Sequence, residues 1–231
     1  MKANKFSIGA LCALLLLSGC TNMSNTAKGG LIGAGGGALI GGLIGKFAGN
    51  TAVGAAIGTA VGTGAGVLIG KKMDKAKAEA AKVQNAQVEE VKDKNGLKAV
   101  KVTFDSGILF ATNKADLSTS AKTSLAKFAE VLKKNADMDV AIYGHTDSTG
   151  TDAINDPLSL RRAQSVEGYL STCGVTSTQF KDVLGKGSKE PIESNSTSVG
   201  RSKNRRVEVY LYASEEMIQA AQKEAGETTA Q

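Results

Sequence analysis

Asp147 lies in the stretch Tyr143-Gly144-His145-Thr146-Asp147-Ser148-Thr149-Gly150, and fifteen positions on comes Arg162, in Leu158-Ser159-Leu160-Arg161-Arg162-Ala163. A carboxylate and a guanidinium so placed can do one of three things. They can neutralise each other in a salt bridge that fixes a helix start, form half of an active site, or hold a ligand bearing both charges. The first stretch reads as a strand end running into a polar loop. The second opens a helix, with Ser159 as N-cap and both arginines in the first turn. Free backbone N–H groups and the helix dipole favour an anion there.

Catalysis has little to build on. His145 is the one histidine of the chain, and a lone histidine makes no metal site; a turn or packing role suits it better. No serine or cysteine has the base and orienting group that a nucleophile needs. Cys173, beside Gly174, reads as a small packing residue, with no disulfide expected in the mature chain. The chain is therefore expected to be no enzyme and to need neither metal nor cofactor. Nucleic acid is excluded as well. The net charge is +6 over 231 residues, aromatic residues make up 4% and tryptophan is absent, so neither a basic stripe nor a stacking platform is available.

The elements that must position the pair show in the hydrophobic periods. Val100, Val102 and Phe104 alternate with polar residues, as in a strand. Ala121, Leu125, Phe128, Ala129 and Leu132 follow at helical spacing, and Lys133-Lys134-Asn135 closes that helix. Met138, Val140 and Ile142 give a second strand ending at Gly144. The second helix buries Ala163, Val166 and Leu170. A third strand lies around Val183-Leu184-Gly185, and Val207, Val209 and Leu211 form a fourth after the polar loop 188–203. The order β-α-β-α-β-β, with helices on one face, predicts an α+β fold, a two-layer α/β sandwich over residues 96–213.

What precedes this domain is organised differently. Residues 1–19 combine Lys2 and Lys5, an apolar run from Phe6 to Leu17, and small residues before Cys20, the pattern of a bacterial secretion signal. Residues 20–28 form a polar tether. Over 29–72, Gly29, Gly33, Gly37, Gly41, Gly45 and Gly49 recur every four residues, and so do Gly54, Gly58, Gly62, Gly66 and Gly70. On a helix this spacing makes a smooth groove that lets backbones approach closely. In water so much glycine costs a helix about 1 kcal/mol per residue against alanine. Each half is long enough to cross the roughly 30 Å of a bilayer core. We expect a membrane-associated helical hairpin turning at Asn50-Thr51, whose grooves would also allow a homo-oligomer. Residues 73–95, rich in Ala, Lys, Glu and Gln, are expected to be a charged, solvated spacer helix. Residues 214–231 are expected to be a frayed helical or disordered tail.

Two sets of residues carry a resemblance. Leu17-Ser18-Gly19-Cys20 resembles the lipobox of bacterial lipoproteins, which implies cleavage before Cys20 and acylation of its thiol, palmitate included. Thr21, where an acid would suggest inner-membrane retention, favours the outer membrane. Phe110-Ala111-Thr112-Asn113-Lys114-Ala115-Asp116-Leu117, Gly144-His145-Thr146-Asp147, Leu158-Ser159-Leu160-Arg161-Arg162-Ala163 and Asn204-Arg205-Arg206-Val207-Glu208-Val209 occur in that order. Together they resemble the OmpA-like C-terminal domain of outer-membrane protein A, peptidoglycan-associated lipoprotein and flagellar stator proteins. With the lipobox and the glycine zipper in front, the chain resembles lipoproteins of the YiaD type.

The resemblance implies a periplasmic domain that binds peptidoglycan non-covalently through the diaminopimelate of the stem peptide, tying the outer membrane to the wall. Diaminopimelate ends in an ammonium beside a carboxylate. Asp147 would accept from the ammonium and Arg162 would grip the carboxylate with paired hydrogen bonds. By position, Thr149 and Asn155 match polar loop contacts of the family, and Arg205 and Arg206 match its C-terminal basic pair. One position departs: the family has Asp directly after the phenylalanine, and here that residue is Ala111. Asp105 is near in sequence but out of register with that role. A second reading, from another class, is an oligomeric membrane-active protein, a pore or assembly platform built by the glycine zipper and positioned by the wall-binding domain.

Overall fold

The computed structural model describes residues 64–93 and 96–229, so the signal, Cys20, the tether and the glycine segment up to residue 63 lie outside the described residues. The elements follow in the order α1 (Gly64–Ala80), β1 (Ala86–Lys92), β2 (Lys98–Asp105), α2 (Ser106–Leu109), α3 (Thr119–Lys134), β3 (Met138–His145), α4 (Asp152–Thr172), β4 (Phe180–Gly185), α5 (Ser198–Asn204), β5 (Arg206–Ala213) and α6 (Glu215–Thr229).

The five strands make one sheet, ordered β1-β2-β5-β3-β4. β1 runs antiparallel to β2, β2 to β5 and β5 to β3, while β3 and β4 are parallel. A parallel pair needs a long crossover, which α4 supplies. β2 and β3 therefore point the same way and finish at the same end of the sheet. Val100, Val102, Phe104, Val140, Ile142, Val207, Val209 and Leu211 share one core with Leu125 and Phe128 of α3, Val166 and Leu170 of α4, Met73 of α1 and Ile218 of α6. The α+β sandwich and its element order hold as expected.

Four expectations are corrected. The charged spacer helix over 73–95 is not present. Helix α1 ends at Ala80, and residues 86–92 form edge strand β1, paired residue for residue from Ala86↔Phe104 to Lys92↔Lys98. Residues 81–85 form a turn in which Asn85, at φ 63°, leads into β1, and ladder pairing with β2 outweighs the helix propensity of Ala86-Gln87-Val88-Glu89-Glu90. The sequence carried a signal for this, Asn95-Gly96, the strongest short hairpin dipeptide.

The described end of the glycine segment, Gly64 to Lys72, is the start of α1 and packs on the domain. Ala65, Ile69, Met73, Ala76 and Ala80 are all buried, a stripe at helical spacing. No helix among the described residues is long and apolar enough to cross a membrane. The tail is also structured. Helix α6 buries Met217, Ile218 and Ala221, packs along α1, and is capped by the Ser214 hydroxyl, which accepts from the Met217 N–H at 3.1 Å. Its apolar stripe finds a partner that a tail alone would lack.

The fourth correction concerns the helix that carries Arg162. Helix α4 begins at Asp152, not at Ser159, and runs through Pro157. The proline gives up the hydrogen bond to the Ala153 carbonyl, and packing of α4 against β3 and β4 outweighs that loss. Ser159 is instead a brace: its hydroxyl donates to the Asp156 carbonyl at 2.8 Å and accepts from the Gly187 N–H at 3.0 Å. A side chain at Gly144 would strike the Ser159 carbonyl, and one at Gly185 would strike the backbone of Asp156 and Leu160. These two glycines let α4 lie directly on the strand ends.

Candidate functional site

The C-terminal ends of β2 and β3, α2, the start of α4 and α5 surround a cleft of about 720 Å³. Strand β3 delivers Thr146 and Asp147 to its wall, the Thr146 N–H bonding the Gly187 carbonyl at 2.8 Å. Asp147 folds back on its own loop, Oδ1 accepting from the Thr149 N–H at 2.8 Å. Its Oδ2 accepts from Arg205 Nη1 at 2.6 Å. Asn155, in α4, ties the loop by donating Nδ2–H to the Thr149 carbonyl at 3.1 Å.

Arg162 approaches from the other side, more than two turns into α4 rather than in its first turn. Its Nε donates to the Lys114 carbonyl at 3.0 Å. Its guanidinium lies over the Phe110 ring, 5.2 Å from the centroid, a cation–π contact that holds the planar fork. No hydrogen bond ties Asp147 to Arg162; the acid's partner is Arg205. The reading of Asp147 and Arg162 as one helix-fixing salt bridge is thereby excluded, and Arg162 keeps both Nη groups unbonded among the described residues.

The expected site residues Asp147, Arg162, Thr149, Asn155 and Arg205 all line this cleft. Arg206 does not. Successive residues of an extended backbone point to opposite faces, so Arg205 turns to the cleft and Arg206 to the far face of the sheet. There Arg206 Nε donates to Glu208 Oε1 at 2.7 Å, and the Tyr210 hydroxyl donates to Glu208 Oε2 at 2.6 Å. His145, paired with Arg206 across the sheet, joins this group with Nε2 3.4 Å from Glu208. Burial alone would raise the Glu208 carboxyl, but His145, Arg206 and Tyr210 hold it far below the usual range. Burial lowers the His145 pKa against the pull of Glu208, so the imidazole is neutral at pH 7.

Residue types alone missed three parts of the cleft. Arg201, on α5, lines it and donates Nη1–H to the Asn195 carbonyl at 2.9 Å. Ser106 and Thr146 line it too, although their hydroxyl oxygens are fully buried and unpartnered. Ala111 also lines the wall, so the departure noted in sequence sits within the site. Burial opposes ionisation of Asp147, yet the hydrogen bonds from Arg205 and Thr149 prevail and keep its carboxyl below the ordinary value. Burial and the nearby Arg205 charge both lower Arg162.

Comparison with known proteins agrees with this fold. Residues 109–205 match the OmpA family, and residues 1–74 match the YMGG-like Gly-zipper. Peptidoglycan-binding protein ArfA of Mycobacterium tuberculosis is 41% identical over 113 residues, covering 49% of this chain and 34% of that protein. Probable lipoprotein YiaD of Escherichia coli is 41% identical over 110 residues, covering 48% of this chain and 47% of that protein. The chain thus spans half or less of the length of these curated relatives. Among solved structures, the cell wall anchor of the T6SS from Pseudomonas aeruginosa aligns with a TM-score of 0.51 at 28% identity, over 62% of this chain and 97% of that one. A MotB-like protein from Desulfovibrio vulgaris shares the fold, with a TM-score of 0.53 at 22% identity over 65% and 92% of the two chains.

Proposed function

We propose that this chain, an OmpA-like domain behind a lipoprotein-type start and a glycine zipper, is a lipid-anchored outer-membrane protein that binds peptidoglycan through its cleft. In this reading the domain faces the periplasm and holds the diaminopimelate end of a stem peptide without covalent chemistry. Acyl chains on Cys20 and the glycine-rich segment before Gly64 hold the other end in the membrane, so the protein ties membrane to wall.

One observation carries the reading: Arg162 lines the same cleft as Asp147 and keeps both Nη groups unbonded among the described residues. Such a fork fits a carboxylate with two parallel hydrogen bonds. Thr149 and Asn155 serve mainly by fixing the Asp147 loop. The relatives named for peptidoglycan binding or as lipoproteins support the same assignment.

The test uses the full-length protein in detergent, mixed with isolated peptidoglycan and sedimented. Arg162→Ala is expected to weaken co-sedimentation about tenfold to a hundredfold, the cost of losing a charge-assisted bidentate contact. Asp147→Ala is expected to do the same by releasing Arg205 and the loop. Circular dichroism must show that both variants remain folded. Undiminished sedimentation of the folded Arg162→Ala protein, or release of soluble muropeptides by the wild type, would sink the reading.

A further inference from the structure

The sheet has two buried faces, and the described helices cover one. Leu125 of α3, Val166 of α4, Met73 of α1 and Ile218 of α6 pack there with Val102 and Val209. On the opposite face Val91, Ala99, Ala141, Tyr143, Tyr210 and Tyr212 form a second apolar cluster, built from strand residues alone. A sheet face open to solvent keeps its large side chains partly in water. Here the three tyrosines are 0%, 3% and 1% exposed. Lys186 Nζ lies 4.9 Å from the centroid of the Tyr143 ring, which covers one end of the patch. At the other end the Tyr212 hydroxyl is buried and has no hydrogen-bond partner among the described residues, a state that points to something that completes it.

The cover belongs to this chain, because the six side chains are buried in a single copy. Outside the described residues lie 1–63, 94–95 and 230–231, and the last two are dipeptides, too short to cover several strands. Charge separates the parts ahead of Gly64. Residues 1–28 are the signal and the polar tether, and 29–49 hold Lys46, whereas residues 50–63 contain no Asp, Glu, Lys or Arg. An uncharged segment loses least on leaving water beside tyrosines. Val53, Ile57 and Val61 recur every four residues, each followed by Gly54, Gly58 or Gly62. As a helix the segment would carry an apolar ridge beside bare backbone that can approach a sheet closely. Thr51, Thr59 and Thr63 add hydroxyls able to partner Tyr212. The segment runs directly into α1, and its length, about 20 Å as a helix and up to about 49 Å extended, exceeds the roughly 10 Å across three neighbouring strands.

We propose that residues 50–63 dock on the sheet face opposite the helices, as an intrachain cover over Tyr143, Tyr210 and Tyr212. This goes beyond the wall-binding reading and does not depend on it. It narrows the membrane-held part of the chain to the acylated end and residues 29–49. The glycine repeat then divides by task, its first half belonging to the membrane and its second to the domain, and the docked half shortens the reach between the two.

Photo-cross-linking tests this in the full-length, acylated protein in membranes of the expressing cells, with Tyr212→benzoylphenylalanine as the probe. After irradiation the products are separated by mass and their cross-linked peptides sequenced by mass spectrometry. The expected product migrates as a monomer and joins position 212 to residues 50–63. Ile57→Asp and Val61→Asp are each expected to cut its yield at least about tenfold, because a charge would have to enter a dry interface. Circular dichroism must show that each protein is folded. Leu184, which pairs with Tyr143 at the sheet edge and is 44% exposed, carries the probe instead if position 212 does not tolerate it. Products made only with a second copy, a lipid, another protein or other parts of the chain would overturn the proposal. So would a folded protein that gives no product, or a yield unchanged by both Asp variants. Wall sedimentation of the same proteins reads the cleft separately, so either reading can fail while the other stands.

Discussion

Asp139 carries a charge in a poor place. It is 5% exposed, and burial pushes its pKa up to about 6, with Lys181 at 3.5 Å only partly opposing the shift. The sign follows from linkage: a carboxyl with a folded pKa above its unfolded value penalises folding when ionised, and the penalty fades as pH falls from about 6 to about 4. Asp139→Asn is therefore expected to stabilise the protein by about 2 kcal/mol at pH 7.5 and to have little effect at pH 4. Urea unfolding at the two pH values checks this; equal effects at both would refute it. Asp147 behaves oppositely. Its pKa is lowered because the bonds from Arg205 and Thr149 outweigh burial, so its contribution persists at neutral pH and is lost only as pH drops below the ordinary carboxylate range.

Helices α1 and α6 belong to the folded domain rather than flanking it. Met73 is 1% exposed in the shared core, and Met73→Ala should cost about 2–4 kcal/mol in chemical denaturation, as for other large-to-small core changes. A fragment of residues 64–229 should unfold cooperatively. One of residues 96–213 should melt at least about 10 °C lower or fail to fold, since it loses strand β1 and both helices. Equal melting of the two fragments would contradict this packing. The central strands were legible because Val100, Val102 and Phe104, or Val207, Val209 and Leu211, alternate cleanly against one core. Helix α1 was not, because its buried stripe from Ala65 to Ala80 straddles the change from glycine-rich to charged composition and disappears when either part is read alone. Ser159 misled for a local reason: a serine beside two arginines looks like a helix start, and only packing reveals it as a mid-helix brace. Asp147, Arg162 and Arg205 could be found from their motifs. The Asp147–Arg205 pairing could not, because 58 residues separate the partners and only the sheet brings them together.

For the molecule as a whole, the arrangement of α1 settles where the described chain approaches the sheet. Lys72 pairs with Asp137, just before β3 begins, at 2.6 Å, and Asp74 pairs with Lys98, where β2 begins, at 3.0 Å. The cleft lies where β2 and β3 end. The middle of α1 thus sits at one end of the strands and the cleft at the other. If the protein is held by a membrane on the Gly64 side and by the wall at the cleft, tension runs along the strands. Such a load shears the ladder, straining many hydrogen bonds together instead of opening them one after another. Helix α1 must also peel from α6 before the sheet takes any of it. Single-molecule stretching between residue 64 and the cleft should show α1 detaching first, with a contour gain of up to about 6 nm for its 17 residues at about 3.5 Å each. A larger force should then rupture the sheet; rupture without that early step would show that α1 bears no load. A tether built this way has a shock absorber in front of its anchor.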